Sequence, residues 1–389
     1  MSAQQHTGSG RRVHWLELLF DLVMVAYIGE VAHTLHGDPS AGDGVVFAVL
    51  LAAAWWAWVN ASVTMDLFGA RITPLVWVSV AIAMIAVGFM AAAVPEALTE
   101  RSAGFAIGNA VIRLVWMLPW WLKRRSTGTA WWRPFAYCLG PALLWLASVW
   151  IPAPWQYVLW AAAVAVEIAL LAVLGGATGW LQRTLDVGHL VERVSLLVVI
   201  VFGESVLSII TQLDAHWGPP AWIAALLGFA AVIMLAWVFF THAPSAVEAG
   251  LHGLQRRGSV AGLRDTVMYL PLLLVAGVVL FAVGAGTAVA DAASPLPLSA
   301  AWCLAIGLSL FFMGSVAESL RYGVRWRNVL VWGPEGIVLP LVLIPVATVL
   351  VAAGVLAVAV VLITLLATLN ATGARSYRWR SRPGRLQSP

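Results

Sequence analysis

The chain has 389 residues, of which 61% are hydrophobic and only 10% charged, with a formal net charge of +4. A water-soluble domain keeps charged residues near about a quarter of its composition, so these proportions exclude one. The apolar residues fall in runs of about twenty, the length that crosses a bilayer core roughly 30 Å thick, and they recur from Val13 to the region of Asn370 with no stretch left for a soluble domain.

In chain order the runs predict helices over 13–35, 44–65, 73–94, 102–122, 134–151 and 156–174, then 187–211, 220–241, 266–289, 298–320, 336–352 and 355–371. The first run carries Glu17, Asp21 and Glu30, which a signal-peptide core would not, and is read as a retained helix. Residues 336–371 are too long for one crossing and short for two, so Gly354 is expected to mark a tight hairpin or the segment to be re-entrant. The fold class is thus all-α and integral to a membrane, with about twelve transmembrane helices. Its parts are a cytoplasmic tail 1–12, a first six-helix half 13–174, a short cytoplasmic linker 175–186, a second six-helix half 187–371 and a basic cytoplasmic tail 372–389.

The basic residues orient this layout, because cytoplasmic loops collect Lys and Arg. With both termini inside, 19 of the 22 basic residues fall in cytoplasmic segments; Arg101 lies in an external loop, and Arg113 and Arg193 lie within helices. The positive charge therefore calls for anionic lipid as partner and no nucleic acid. Of the 22 tryptophans, Trp15, Trp55, Trp120, Trp121, Trp131, Trp132, Trp155, Trp217 and Trp332 sit near run ends and are expected at the headgroups. Cys138 and Cys303 lie in separate apolar runs and read as packing residues.

An internal repeat is legible. His14-Trp-Leu-Glu17 with Gly29-Glu30 beyond it parallels His189-Leu-Val-Glu192 with Gly203-Glu204, and Ala57-Trp58-Val59 parallels Ala236-Trp237-Val238. An even number of helices per half inserts both halves the same way, as two tandem repeats.

Asp21, Arg113, Glu167, Arg193 and Glu204 lie deep in apolar runs, where each ionisable group costs roughly 2.5–3.5 kcal/mol on insertion scales. At helical periodicity His14, Glu17 and Asp21 share one face of the first helix; His189, Glu192, Arg193 and Glu204 form a similar face on the seventh. Two readings fit. In one, Glu192–Arg193, Arg113, Glu167 and Asp21 form interhelical ion pairs that fix helix register. In the other, Asp21, Glu30 and Glu204 line a polar pathway that titrates or holds a cation, with His14 and His189 as cytoplasmic proton donors and Glu17, Glu192, Arg193, Ser205, Arg113 and Glu167 as further pathway residues. A metal site from His14, Glu17 and Asp21 has suitable ligand types but no recognised cage, so no metal or cofactor is expected. The phosphate-binding loop, His-Glu-x-x-His, Cys-x-x-Cys and Gly-x-Ser-x-Gly are all missing, which sets several enzyme classes aside. Gly104-Phe-Ala-Ile-Gly108 has small-residue spacing that fits intramolecular packing as well as a homodimer.

These same residues carry a resemblance. Trp15-Leu-Glu-Leu-Leu-Phe-Asp21-Leu-Val resembles the first-helix signature of the bacterial low temperature requirement protein A (LtrA) family. His189-Leu-Val-Glu-Arg-Val-Ser followed by Phe202-Gly-Glu-Ser205 resembles its second signature. The resemblance implies Glu17, Asp21, His189, Glu192, Arg193, Gly203, Glu204 and Ser205 as characteristic positions; Glu30 departs from it, standing where an amide such as Gln is common. It supplies no biochemical activity. Phe20-Asp21-Leu-Val-Met-Val-Ala is also distantly similar to the first-helix motif of the lysosomal potassium and proton channels, themselves two six-helix repeats. The expectation is a multi-pass protein of the bacterial plasma membrane: a transporter or channel for a small solute or ion, proton-linked, with its pathway along helices one and seven. The alternative is a sensor or scaffold whose charges only hold the bundle together.

Overall fold

The computed structural model describes residues 13–68, 73–127, 130–174, 186–256, 265–322, 324 and 326–380. Most of the linker at 175–186 and many of the basic residues that orient the chain, among them Arg11, Arg12, Arg71, Arg183, Arg257 and Arg264, lie outside them. Every regular element among the described residues is helical. Among the described residues, eight helices are long and apolar enough to cross a membrane, and three shorter apolar helices, Phe135–Trp150, Trp155–Leu170 and Gly333–Ala347, accompany them. Packing divides the chain into two compact units.

The first unit takes in Met1–Thr34, Ala41–Ile200 and Leu251–Met268. It holds α1 (Trp15–His33), α2 (Ala41–Phe68), α3 (Pro74–Ala93), α4 (Ser102–Leu114), α5 (Met117–Thr127), α6 (Gly140–Ala147), α7 (Trp155–Leu174) and the start of α8 (Val187–Ala215). Local chemistry sets the ends. His14 caps α1 by accepting from the Leu16 amide at 3.2 Å through Nδ1, while the Glu17 carboxylate reaches back to the His14 amide. Thr73 caps α3 just ahead of Pro74 at the first helical position. Pro119, which lacks an N–H and crowds the carbonyl of Val115, accounts for the break between α4 and α5. The π turn Phe135–Leu139 lies just ahead of Pro141 and widens the backbone where another such clash would fall.

The core of this unit is aromatic. Tyr27, Phe105, Trp145 and Trp160 are all buried, with ring centroids 5.1 Å apart for Phe105–Trp160 and 5.4 Å for Trp145–Trp160. Their polar tips are placed individually: Tyr27 donates to the Leu50 carbonyl at 2.9 Å, and Trp160 Nε1 donates to Ser148 Oγ at 2.8 Å. Of the small-residue pair on α4, Gly108 lies against Met90 and the Ala86 carbonyl of α3, whereas Gly104 faces open space. Gly108 therefore serves packing within the unit.

The second unit comprises Leu35–Ser40, Val201–Gly250 and Tyr269–Pro389. It holds the rest of α8, most of α9 (Pro219–Arg256), α10 (Leu270–Ala290), α11 (Leu298–Arg321), α12 (Gly333–Val338), α13 (Leu343–Ala347) and α14 (Ala352–Arg380). The closest approach is between α10 and α11. A Cβ on Gly277 would stand 2.7 Å from the Gly307 carbonyl oxygen, one on Gly307 2.5 Å from the Phe281 amide nitrogen, and one on Gly284 2.7 Å from the Ala300 carbonyl oxygen. Glycine lets the two backbones touch, the usual way apolar helices gain contact where lipid is as greasy as the partner.

The end of the chain differs from the sequence expectation. The reversal falls at Thr348–Val351, not at Gly354, which lies inside α14. The Ala352 amide donates to the Ser294 carbonyl at 2.8 Å, pinning the turn to the α10–α11 connection. The preceding segment is broken by Pro334, Pro340 and Pro345 into α12, a 3-10 turn over Leu339–Val342 and α13. Two of the tryptophans assigned to headgroups are instead core residues: Trp55 is buried and donates to the Met268 carbonyl at 2.6 Å, and Trp332 is buried. A run end in sequence is not an interface when a neighbouring helix covers it. Trp15, Trp131, Trp155 and Trp217 are exposed.

The α10–α11 contact yields a direct test. Gly277→Val and Gly307→Val each force a side chain into backbone and should abolish the monodisperse folded peak in detergent gel filtration. Gly104→Ala, with nothing near its Cβ, should leave elution and melting temperature unchanged or slightly raised.

Candidate functional site

The buried charges of the first unit resolve into three groups. Glu17 and Asp21, one helical turn apart on α1, are both fully buried and face His189 and Arg193, one turn apart on α8. His189 Nε2 lies 2.8 Å from Glu17 Oε2, and Arg193 Nη2 donates to Asp21 Oδ1 at 3.0 Å. Both rungs join residues 172 apart in sequence, so α1 and α8 run in the same direction.

The first rung extends further. His189 Nδ1 lies 2.7 Å from Asp66 Oδ1, near the end of α2, so a single imidazole is held between two carboxylates. The loop before α8 completes the arrangement. Asp186 caps α8 by accepting from the His189 amide at 3.2 Å, and its own amide donates to Asp66 Oδ2 at 3.0 Å. Two short hydrogen bonds from one ring to two carboxylates need two protons between the three groups. Either the ring is an imidazolium between two carboxylates, or it is neutral and one carboxyl is protonated. The two forms hold the same protons and interconvert by shifts along hydrogen bonds already in place. The carboxylates engage opposite ring nitrogens and do not converge on one point. Among the described residues no group of three His, Cys, Asp or Glu side chains could hold a metal ion.

The second rung is less complete. Trp58 Nε1 of α2 donates to Asp21 Oδ1 at 2.8 Å, the same oxygen that Arg193 uses. The guanidinium lies 5.9 Å from the Phe20 ring centroid and 5.7 Å from that of Trp58. Asp21 Oδ2 and Arg193 Nε and Nη1 are buried without a hydrogen-bond partner among the described residues.

The third group is saturated. Arg113 Nε and Nη2 each lie 2.8 Å from an oxygen of Glu167. Nη1 donates to both the carbonyl and the side-chain oxygen of Asn109, and Nη2 also reaches the Ala53 carbonyl at 3.3 Å. The Trp145 ring lies 5.3 Å from the guanidinium carbon. Such a forked, fully bonded pair is built to hold α4 against α7.

The remaining predicted residues fall elsewhere. His14 is a half-buried helix cap, Glu30 is half-buried further along α1, and Glu192 is exposed. Glu204 and Ser205 belong to the second unit: Glu204 is half-buried, and Ser205 Oγ donates back to the Val201 carbonyl at 3.1 Å within α8. The aligned residues of the repeat thus play unlike parts, with Glu17 buried and Glu192 exposed, and Trp58 buried while Trp237 is half exposed. Sequence reasoning missed Asp66, Asp186, Trp58 and Asn109. The predicted second helix stops at 65, one residue short of Asp66, although Leu67-Phe68 continue the apolar run and the helix runs through them. Asp186, three residues ahead of His189 at the start of an apolar run, carries a capping signal that identifies it.

Residues 12–368 match the family described as bacterial low temperature requirement A protein (LtrA). The chain belongs to the LtrA family. It is also 25% identical over 310 residues to the uncharacterized protein RA0937 of Rhizobium meliloti (strain 1021), covering 72% of each chain. This LtrA-family protein is a membrane protein of many apolar helices.

The third group gives a stability prediction. Glu167→Gln leaves the Arg113 guanidinium buried with a broken fork and should cost on the order of 3–5 kcal/mol, read as a lowered melting temperature in detergent. Glu192→Gln, at an exposed position, should leave melting unchanged.

Proposed function

We propose that this LtrA-family protein is a proton-linked transporter or channel for a small solute or ion in the bacterial plasma membrane. The proposal includes twelve spans in two tandem halves of six, with both termini in the cytoplasm. The parallel run of α1 and α8 supports that topology, since same-direction helices need an even number of crossings from one to the next. The observation that carries the function is the Glu17–His189–Asp66 bridge, a buried imidazole with a carboxylate on each nitrogen.

The chemistry follows from the proton count. A proton on the Asp66 carboxyl passes to His189 Nδ1 of the Nε2–H tautomer as the ring releases its Nε2 proton to Glu17, so the two protons of the bridge are conserved. Each further transfer requires Glu17 to release its proton and the ring to return to the Nε2–H tautomer before Asp66 takes up another. Intramembrane carboxylates and histidines arranged in series are what proton-coupled pathways use. Asp21 lies one turn beyond Glu17 on α1, so the second rung is the next station along the same two helices.

A second reading has its own observation. The saturated Arg113–Glu167 pair supports a role for buried ion pairs as braces, in which the other charges would be braces too. Flux measurements separate the two. In proteoliposomes with a pH-reporting dye and imposed proton and potassium gradients, Glu17→Gln and Asp66→Asn should lose proton flux while keeping folded yield. Flux that persists in both folded variants, or wild-type flux no greater than that of empty liposomes, would favour the brace and count against transport.

A further inference from the structure

The two buried arginine–carboxylate pairs of the first unit differ in a way that their residue types do not require. Arg113 grips Glu167 with both arms and has every nitrogen bonded. Arg193 touches Asp21 through one nitrogen and one oxygen, although both side chains are fully buried. Trp58 Nε1 and Arg193 Nη2 share the same carboxylate oxygen, Oδ1, and Oδ2 has no hydrogen-bond partner among the described residues. Two guanidinium nitrogens and one carboxylate oxygen are left without a hydrogen-bond partner among the described residues. A buried donor or acceptor on a charged group is costly when unmet, so three such atoms on one ion pair call for a guest.

We propose that Asp21 Oδ2 with Arg193 Nε and Nη1 forms a buried binding subsite for a small uncharged molecule that both donates and accepts hydrogen bonds. The donor–acceptor demand is set by the three atoms: the guest must accept from Arg193 and donate to Asp21. The absence of charge is set by the pair, which is already neutral, so that an ion would bring an uncompensated charge into a site walled by the Phe20 and Trp58 rings. Water, urea, simple amides and undissociated carboxylic acids share this chemistry. The subsite rests on the transport reading for its purpose, since it lies one helical turn from the proton bridge on both α1 and α8.

The experiment reads occupancy and needs no flux. Purified wild type, Asp21→Asn and Trp58→Phe in detergent micelles are titrated with radiolabelled urea and acetamide and with guanidinium and nitrate as permanently charged controls. Radiolytic hydroxyl labelling, which marks side chains beside bound water even when they are sealed from bulk, is followed at Phe20 and Trp58. Trp58→Phe keeps both charges but frees Asp21 to grip Arg193 with both oxygens, so it remains informative if Asp21→Asn fails to fold. Saturable urea or acetamide binding that weakens at least about tenfold in the folded variants, the loss of one charged hydrogen bond, supports the subsite with a guest from solution. Failure of all probes together with wild-type labelling at Phe20 that Trp58→Phe abolishes supports it with water as the guest. Binding of guanidinium or nitrate in preference, neither binding nor labelling, or binding or labelling that Trp58→Phe leaves unchanged would overturn it. Occupancy without flux would sink transport alone, and flux without occupancy would sink the subsite alone.

Discussion

Everything distinctive in this chain depends on the cost of holding charge away from water. A bilayer offers no counter-ions and few hydrogen bonds, so a carboxylate or guanidinium inside it must find its partner within the protein. Glu17, Asp21, Asp66, Arg113, Glu167, His189 and Arg193 are all buried in the first unit, and each has at least one charged or titratable partner. Those partners come from distant parts of the chain, so the pairs fix which helices lie together and in what register. The apolar faces around them are more permissive, because hydrophobic packing alone tolerates rotation and sliding that a hydrogen-bonded pair does not.

The quality of pairing differs among the groups, and that difference separates support from chemistry. The Arg113–Glu167 fork, with Asn109 and the Ala53 carbonyl filling the remaining positions, has no unmet capacity and nothing to exchange. The imidazole bridge holds more carboxylates than one neutral ring can serve, so its protons are shared rather than owned. The Asp21–Arg193 rung is under-bonded among the described residues, with Trp58 and Arg193 sharing one carboxylate oxygen. The gradient from saturated to shared to unmet runs through residues of similar type and equal burial, and it is created by their neighbours.

The second unit solves a different problem. With few intramembrane charges to fix register, it relies on backbone contact at Gly277, Gly284 and Gly307 and on the turn after α13 clasped to the α10–α11 connection. Packing by small residues supplies rigidity where a lipid-facing helix gains nothing from hydrophobic burial.

The sequence by itself determined that the chain is a helical membrane protein, because twenty-residue apolar runs have one solution in a bilayer, and it marked Glu17, Asp21, His189 and Arg193 by placing charges inside those runs. It also placed Glu17 with Asp21, since helical periodicity fixes which residues share a face. Tertiary structure alone decided who pairs with whom. Asp66 and Trp58 look ordinary in sequence, one at a helix end and one among 22 tryptophans. They become site residues only because α2 brings them against α1 and α8. Likewise Trp55 and Trp332 read as headgroup anchors until neighbouring helices cover them, and Gly354 reads as a turn until a proline-broken segment ends the previous helix earlier. Periodicity is a property of one helix and is written along the chain, whereas the partner of a buried charge is a property of two helices and exists only once they meet.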